Sequence, residues 1–287
     1  MAKVRIVTDS TADLPEELAE LFGITIVPLK VFIDGQSFLD RVNLSPTAFY
    51  VRLAASKELP KTSQPSPIEF ADYYRPLIEE GAEIVSLHIS EQLSGTAQSA
   101  QLAKTTILKY EQLEVIDTRM VSVVLGMVTL AAARAAEAGC TKNEILELVQ
   151  SIANDHSVCF MVDTLEYLQR GGRIGKAQAF LGTLLNVKPL CTVSPDGEVA
   201  PVEKVRGRKK AINRMIRLIA EQNKDSGPLF CFLVHGDDEA GLSYLHDLAT
   251  AELNIKEIYH SQLGPVVGTH VGPGLLGLSV CPYKYML

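Results

Sequence analysis

Three polar segments, far apart along the chain, carry residue types suited to holding a small anion. Residues 61–67 read KTSQPSP, residues 91–96 read EQLSGT and residues 268–274 read GTHVGPG. Each segment lies among apolar runs, and together they offer hydroxyls, an imidazole and backbone N–H groups. Groups of this kind bind an anion through hydrogen bonds without any covalent chemistry.

Ser94 precedes a predicted helix and is the first candidate for an anion contact. Its hydroxyl and the N–H groups of Gly95 and Thr96 are predicted to bind an anion at the helix N-terminus. The same residues are typical of an ordinary N-cap, and the two interpretations are compatible. The sequence QLSGT lacks the G-x-S-x-G pattern of a nucleophile elbow. A hydrolase using Ser94 with His270 stays open as the alternative. Such an enzyme needs a base within hydrogen-bond reach of Ser94 and a third group that orients the base.

His270 lies in a glycine-rich stretch before the last predicted strand. The glycines at 268, 272 and 274 lack side chains, so the backbone here can approach a ligand closely. We expect His270 to donate a hydrogen bond to a carboxylate, a contact that favours the protonated imidazole. The spacings H-x-x-H and H-E-x-x-H are absent, so the sequence predicts no metal site.

Two further loops resemble phosphate-binding segments without matching them. Residues 9–13 follow the first predicted strand but lack G-x-G-x-x-G, which disfavours a dinucleotide cofactor. Residues 170–176 read RGGRIGK and lack the spacing of a P-loop. The strongest basic cluster is Lys204, Arg206, Arg208, Lys209, Lys210, Arg214 and Arg217. This cluster is either a solvated helix face or a docking site for an acidic partner, as in a regulatory protein.

Composition excludes several classes of protein. With 47% hydrophobic residues, 21% charged residues and a net charge of -7, the chain can build a large core and lacks the basic field of a nucleic-acid binder. The apolar run over residues 121–133 is too short to span a membrane. The 5 cysteines are widely spaced and predict reduced core residues in a cytoplasmic protein.

The elements that position these segments follow a βαβα pattern in the first half. Apolar runs at 4–8, 24–33, 84–89 and 113–117 predict strands, and Asp13, Ser45, Ser66, Ser94 and Thr141 stand at predicted helix starts. The helix after Ser94 is predicted to reach Tyr110. In a parallel sheet, ligands bind beyond the carboxyl ends of the strands. Ser94 follows one such strand, and Thr62 can reach the same crevice.

The second half has a different pattern. Strands are predicted at 158–162, 229–235 and 275–281, with a hairpin over 190–205 and helices over 208–223 and 239–251. We therefore predict an α/β fold with a mostly parallel N-terminal sheet covered by helices (residues 1–157) and a second, α+β domain (residues 158–287). The cleft between the domains is the predicted ligand site.

Five segments together make the chain similar to the DegV family of bacterial fatty-acid-binding proteins. They are IVTDSTADLP at 6–15, TSQPS at 62–66, LSGT at 93–96, LQRGGRI at 168–174 and GTHVGPG at 268–274. The resemblance covers essentially the whole chain and implies a non-catalytic protein that binds one long-chain fatty acid, such as palmitate or oleate, between its domains.

The resemblance also implies a partner and a set of site residues. A separate fatty acid kinase is implied to phosphorylate the presented carboxylate to an acyl phosphate, in phospholipid metabolism. The family's carboxylate contacts correspond to Thr62, Ser94 and His270, with Thr96 beside them. Arg170 and Arg206 are implied at the kinase-facing side. No other cofactor and no metal are expected.

Overall fold

The computed structural model describes residues 3–106, 110–182 and 186–286. The first half contains β1 (Val4–Asp9), α1 (Glu16–Leu21), β2 (Thr25–Val27), β3 (Lys30–Ile33), β4 (Gln36–Leu39), α2 (Pro46–Ala55), β5 (Lys61–Ser63), α3 (Pro67–Glu79), β6 (Glu83–His88), α4 (Thr96–Thr105), β7 (Leu113–Asp117), α5 (Val123–Glu137) and α6 (Lys142–Asp155). The second half contains β8 (Ser157–Met161), α7 (Glu166–Arg170), β9 (Val187–Val193), β10 (Val199–Arg206), α8 (Arg208–Gln222), β11 (Leu229–His235), α9 (Glu239–Glu252), β12 (Ile255–Gln262), α10 (Pro265–Val271) and β13 (Leu276–Pro282).

The first sheet has four parallel strands in the order β2-β1-β6-β7. Helices α3 and α4 pack on one face through a cluster that includes Phe70, Tyr74 and Ala100. Helix α5 packs on the other face. The carboxyl ends of β1 and β6 lie side by side, so the loops that follow Asp9 and His88 meet at one edge. This sheet confirms the predicted parallel architecture.

The second sheet has the order β10-β9-β8-β13-β11-β12 and is antiparallel except for the pair β11–β12. Strands β9 and β10 form the predicted hairpin, which turns at Pro195, Asp196 and Gly197. Helices α8 and α9 cover one face through Ile212, Ile216 and Leu245. The second half is therefore the predicted sheet-containing unit with helices packed against it.

Helix α5 lies between the two sheets and is buried on nearly all sides. Ile6 of β1, Leu125 of α5 and Phe230 of β11 belong to one continuous apolar cluster. A helix that is apolar all round is typical of such a central position. Strand β8 begins at the predicted junction, but the two halves share this core, so the division at residues 157 and 158 stays our proposal.

A small third sheet, in the antiparallel order β4-β3-β5, carries the first polar segment. Asp34 and Gly35 join β3 to β4 with φ values of 52° and 72°, the left-handed turn that this dipeptide favours. In β5, Thr62 pairs with Val31 of β3. Ser66 then starts α3 with a capping box, as its cap-plus-proline sequence predicts. Thr62 is thus held between a fixed strand and a fixed helix start.

Two predictions about local structure were wrong. The single strand expected over residues 24–33 is two strands in different sheets, because the chain turns at Pro28, which has no N–H to donate. Asp13 does not cap α1, whose N-cap is Pro15. Instead Asp13 has a φ of 48° and points its carboxylate away from that helix, toward Arg41, Ser122 and Gly264.

The surroundings of Ser94 and His270 also differ from the predictions. Helix α4 starts at Thr96 with Gly95 as its N-cap, so Ser94 stands one residue before the cap. The predicted end of this helix near Tyr110 falls partly on residues 107–109, which lie outside the described residues. The sequence also predicts a helical or loop-rich segment over residues 165–186, of which residues 183–185 lie outside the described residues. His270 belongs to α10 rather than to a loop.

Candidate functional site

A cavity lies between the two sheets, beyond the carboxyl ends of the first sheet. The space between atoms in this region is roughly 960 Å³, a figure that includes the open mouth of the cavity. Its polar wall consists of Thr62, Ser63, Gln64, Ser94, Ser122, Arg173 and His270. The rest is almost entirely aliphatic and comes from both halves of the chain: Leu29, Ile89, Leu93, Val121, Val123, Val124, Val158, Val193, Val199, Val234, Leu263, Val266, Val267, Val271, Leu275 and Leu278, with Phe160 the one aromatic residue.

Thr62 and His270 meet at the polar end of this cavity. Thr62 Oγ1 and His270 Nε2 lie 2.9 Å apart. The first residue comes from β5 and the second from the last turn of α10, so the pair joins the third sheet to the second half of the chain. The structure thus brings together two of the predicted site residues through a direct hydrogen bond.

The His270 ring is largely enclosed. Its Nδ1 atom is buried and has no hydrogen-bond partner among the described residues. Burial lowers the pKa of His270 to about 4, and the positive charge of Arg173 acts in the same direction. The imidazole is therefore neutral near pH 7, whereas the sequence led us to expect a protonated ring held by a carboxylate.

Gly171 makes the close packing around His270 possible. A Cβ atom at this position would lie 2.4 Å from His270 Nδ1, nearer than any real contact of that kind. Gly171 follows α7, and Gly172 then turns the chain with a φ of 72°. The absence of a side chain at Gly171 therefore lets His270 pack against this segment, a contact that the sequence analysis did not predict.

Ser94 reaches the cavity from the loop between β6 and α4. Its N–H donates to Ser90 O at 3.0 Å, and its Oγ lies 2.9 Å from Thr96 Oγ1. Thr96 is fully buried at the start of α4 and does not line the cavity. Thr96 therefore stands behind Ser94, while only the Ser94 hydroxyl faces the cavity space.

Arg173 is a wall residue that the sequence did not single out. Its Nε donates to Leu93 O at 3.1 Å, and its Nη1 donates to Gly171 O at 2.8 Å. The first contact ties the loop after α7 to the loop that carries Ser94. Arg173 thus brings a positive charge to the mouth of the cavity, directly after the glycine pair Gly171–Gly172.

Arg170 and Arg206 lie elsewhere. Arg170 is exposed on α7 and pairs with Glu166 at 3.2 Å, one helical turn away. Arg206 is exposed at the end of β10. Neither residue lines the cavity, so their predicted role at a partner-facing surface stays a prediction.

The basic segment 204–217 is partly neutralised. Arg208 pairs with Asp163 at 2.5 Å and with Asp238, and it donates to Gly274 O at 3.0 Å. Arg214 pairs with Glu203 at 2.8 Å. These contacts hold α8 to the adjoining loops and strands, so the segment is not a uniform patch of free charge.

The glycines of the GTHVGPG segment pack against protein side chains rather than facing open cavity space. A Cβ at Gly268 would lie 2.9 Å from Tyr50 Oη, and one at Gly272 would lie 2.4 Å from a ring carbon of Tyr167. Gly272 and Gly274 also have φ values of 73° and 81°. The expectation that these glycines admit the ligand was wrong, because the space beside them is filled by neighbouring side chains.

A hydrogen-bonded Ser–His–Asp chain is present elsewhere in the protein, but it is buried within the first sheet. Ser86 Oγ lies 2.7 Å from His88 Nε2, and His88 Nδ1 lies 3.0 Å from Asp9 Oδ2. All three side chains are fully buried and none lines the cavity. At the cavity itself, the hydrogen-bond partner of Ser94 Oγ among the described residues is Thr96, which is not a base. The arrangement therefore gives no support to the hydrolase alternative.

Metal ligation and membrane insertion find no structural basis in the part of the chain that is described. Within residues 3–106, 110–182 and 186–286, no cluster of three or more His, Cys, Asp or Glu side chains has the arrangement of a metal site. The 5 cysteines carry free thiols, and burial raises the pKa of Cys231, Cys191 and Cys159. Over the same ranges, no helix has the length and hydropathy needed to cross a bilayer.

The fold and the cavity define a class: α/β proteins with an apolar cavity, polar at its mouth, between a parallel sheet and a second, mixed sheet. The polar head of an amphipathic ligand would meet hydroxyls and an imidazole at the mouth, and its apolar part would lie in the aliphatic interior. The chain belongs to the DegV family, since the model described as "Uncharacterised protein, DegV family" matches residues 3–283. The resemblance noted from the five segments is therefore confirmed.

The chain is similar to known DegV proteins and solved structures over nearly its full length. A DegV domain-containing protein of Caldanaerobacter subterraneus is 38% identical over 278 residues, which cover 97% of this chain and 98% of the relative. A fatty-acid-binding DegV family protein from Thermus thermophilus superposes with a TM-score of 0.92 at 37% identity, covering 98% of this chain and 99% of its own. A stearic acid-binding protein from Eubacterium ventriosum gives a TM-score of 0.87 at 30% identity and 99% coverage of both chains. Fatty acid binding is thus an observed property of DegV family proteins.

Proposed function

We propose that this protein binds one long-chain fatty acid, such as palmitate or oleate, in the cavity between its two sheets. The observation that carries the proposal is a pair of hydroxyls at the cavity mouth, each supported from behind by a second polar group. His270 lies behind Thr62, and Thr96 lies behind Ser94. The family relationship and the fatty-acid-binding relatives support the same assignment.

The two hydroxyl pairs suit a carboxylate head. When the neutral His270 ring donates its Nε2–H to Thr62 Oγ1, the Thr62 hydroxyl hydrogen is free to point at the ligand. Likewise, a hydrogen bond donated by Thr96 to Ser94 Oγ frees the Ser94 hydroxyl hydrogen. Both hydroxyls then donate to a carboxylate, which accepts hydrogen bonds only. In this proposal Thr62 and Ser94 touch the head, His270 and Thr96 orient them, and Arg173 adds long-range attraction.

The aliphatic wall suits the tail. Burial of a 16-carbon chain contributes at most about 12 kcal/mol, at roughly 0.8 kcal/mol per methylene group. Immobilising a flexible ligand offsets a large part of that figure. We therefore expect the tail to supply most of the affinity, while the head contacts set the orientation of the carboxylate at the mouth.

The proposal extends to a partner. A carboxylate held at the mouth of the cavity is placed for transfer of a phosphoryl group from a separate kinase, which would form an acyl phosphate for phospholipid metabolism. The protein itself is then a non-catalytic carrier in the cytoplasm, a compartment that keeps its five thiols reduced. Arg170 and Arg206 are the proposed partner-facing residues because both are exposed and neither is used by the cavity.

Ligand discrimination tests the binding function. Titration with palmitate, hexadecanol and methyl palmitate separates head recognition from tail burial. We expect stoichiometric palmitate binding that is at least 10-fold tighter than binding of the alcohol or the ester. The double substitution Thr62→Ala/Ser94→Ala is expected to remove most of this preference while leaving binding of the alcohol unchanged. Equal affinity for all three ligands in the unsubstituted protein would contradict the assignment of the polar end.

Reconstitution with a bacterial fatty acid kinase tests the partner. Formation of acyl phosphate, trapped with hydroxylamine, is expected only when the fatty acid is presented by this protein. Charge reversal at Arg170 and Arg206 should abolish trapping without loss of bound lipid. The matched control for each single reversal is Lys224→Glu, a change of equal charge at a side chain that is 77% exposed and lies outside the basic segment 204–217. Arg208 is unsuitable for this test because its ion pairs hold the fold together.

A further inference from the structure

Asp13 does not line the cavity, but its carboxylate connects three segments of the chain near the cavity. Its carboxylate is completely buried and accepts hydrogen bonds from Arg41 Nη2 at 3.1 Å, Ser122 Oγ at 2.6 Å and Gly264 N at 2.8 Å. The donors come from 28, 109 and 251 residues away along the chain. Three donors satisfy this buried carboxylate, and loss of its charge would weaken the bond from Arg41 and replace one of its two acceptor oxygens by a donor.

Two of the three segments lead directly into the cavity. Ser122 lines the cavity and precedes α5, and Gly264 precedes α10, which carries His270. Arg41 strengthens the junction because it also donates to Gln262 O, just before Gly264. Ser261 Oγ donates to the backbone carbonyl of Asp13 itself. One residue of the first half thus holds both ends of the short connection between β12 and α10.

The backbone at these positions shows why such a clamp is needed. Asp13 has a φ of 48° and Ser122 has a φ of 57° with a ψ of -143°. These left-handed values are uncommon for residues with a side chain, and they persist when surrounding contacts enforce them. For Ser122 those contacts are the bond to Asp13 and the bond from its N–H to Thr11 O at 2.8 Å.

Neighbouring Asp40 also lies beside the start of α10, since a Cβ placed at Gly264 would be 3.0 Å from Asp40 Oδ1. It is as deeply buried as Asp13, but neither of its carboxylate oxygens has a hydrogen-bond partner among the described residues. Burial and the nearby Asp13 carboxylate raise the pKa of Asp40 to about 7. A pKa near 7 leaves Asp40 about half protonated at pH 7, which reduces the negative charge beside Asp13; burial raises the pKa of Asp13 as well, and the positive charge of Arg41 opposes that rise.

We propose that Asp13 is the positioning residue of the head-group site: its carboxylate fixes the start of α10 and thereby the place of His270 at the far end of that helix. Gly264 and His270 are separated by about 9 Å of helix, at roughly 1.5 Å per residue, so the helix transmits a shift of its start to the imidazole as a rigid body. The consequence for fatty acids rests on the proposed function, whereas the position of His270 does not.

Titration of His270 in the ligand-free protein tests this role. NMR of the imidazole C–H signals, assigned with His270→Asn, gives the pKa in the unsubstituted protein and in Asp13→Asn, which keeps the shape of the side chain but removes its charge. We expect the pKa of His270 to rise in Asp13→Asn by one unit or more from about 4, because a displaced ring is better solvated. Palmitate affinity should fall at least 10-fold in the same variant.

Asp9→Asn is the matched control. Asp9 is an equally buried carboxylate at the end of β1, four residues before Asp13, and its bonds go to Thr11, His88 and Ile89, all within the first half. This variant should lose thermal stability while the pKa of His270 stays at its original value. A general loosening of the protein would move the pKa in both variants, and that result would overturn the specific role of Asp13.

Other outcomes are equally decisive. A folded Asp13→Asn protein with an unchanged His270 pKa contradicts the proposal. Should Asp13→Asn fail to fold, Arg41→Gln and Ser122→Ala each remove one donor and leave the carboxylate, and each should raise the pKa of His270 by a smaller amount. No shift in either variant contradicts the proposal. Because no lipid takes part in the titration, failure of the fatty-acid assignment would leave this result unaffected.

Discussion

The Thr62 hydroxyl and the His270 imidazole, 2.9 Å apart, join positions separated by 208 residues. This bond closes the polar end of a cavity whose remaining wall is aliphatic. It also explains how an uncharged histidine contributes to holding an anion. The ring stays neutral because it is buried, and as a neutral donor it orients a hydroxyl instead of supplying charge.

Removal of the Thr62 hydroxyl should weaken head recognition. In Thr62→Val the side-chain shape is kept, but His270 loses its partner and the ligand loses one donor. Palmitate affinity is expected to fall about 10-fold, in line with the 1–1.5 kcal/mol typical of one hydrogen bond. Displacement of a fluorescent fatty acid measures the change. Thr105→Val, which removes an exposed hydroxyl that donates to Leu102 O, should bind as the unsubstituted protein does; equal losses in both variants would refute the assignment.

Substitution of Gly171 should displace His270. The Cβ of Gly171→Ala would lie 2.4 Å from His270 Nδ1 and 3.0 Å from Tyr167 O, so the ring or the loop must move. We expect at least a 10-fold loss of palmitate affinity in a binding titration. The neighbour provides a control for backbone strain alone. Gly172 has a φ of 72° with nothing near its missing side chain, so Gly172→Ala should lower the melting temperature and leave affinity within about 2-fold. The reverse order of effects would rule out this contact.

The buried histidine predicts a specific dependence of stability on pH. The pKa of His270 is about 4 in the folded protein against about 6.5 in an unfolded chain, so the unfolded state binds the proton more tightly. This contribution to the free energy of unfolding is fully present above pH 6.5 and is lost as the pH falls to about 4. It amounts to about 3 kcal/mol at 1.36 kcal/mol per unit. Denaturant melts of the unsubstituted protein and of His270→Asn, compared at pH 7 and pH 4, isolate it; identical losses in both would show that His270 is not buried.

A bulky residue in the apolar wall should shorten the accepted tail. Val158 lines the cavity and is only partly buried, so Val158→Phe has room to fill ligand space without disrupting the fold. We expect palmitate affinity to fall far more than decanoate affinity, because the head contacts are unchanged and only the longer tail meets the ring. Val202→Phe is the control, since Val202 is 39% exposed on β10 and lies outside the cavity wall. Equal losses for both acids would place the tail elsewhere.

The sequence predicted those helix starts and turns that are encoded by residues adjacent in the chain. Ser66 and Thr141 form capping boxes at predicted helix starts, and Asp34 and Gly35 form the predicted turn. The parallel first sheet follows from short apolar runs that alternate with helices. Each of these features depends on neighbouring residues, which is why a single sequence suffices to predict them.

The missed features depend on contacts between distant residues. Helix α10 is short, contains Gly268 and is flanked by Gly264 and Gly272, so its sequence resembles a loop; in the structure Gly268 packs against Phe49 and Tyr50. Arg170 and Arg173 flank the same glycine pair, and the sequence does not distinguish their positions. Because the chain turns at Gly172, only Arg173 lines the cavity. Asp13 looked like a helix cap, whereas its partners lie as far away as Gly264. No periodicity in the chain encodes such pairings.

The lipid that the protein carries after purification is the most direct test of the account. Native mass spectrometry of the intact protein, followed by lipid analysis of an organic extract, measures both stoichiometry and identity. We predict one long-chain fatty acid per chain, displaced by added palmitate or oleate and held less tightly in Thr62→Ala/Ser94→Ala. A protein that contains no lipid and takes up none after incubation with either acid would contradict the proposed function.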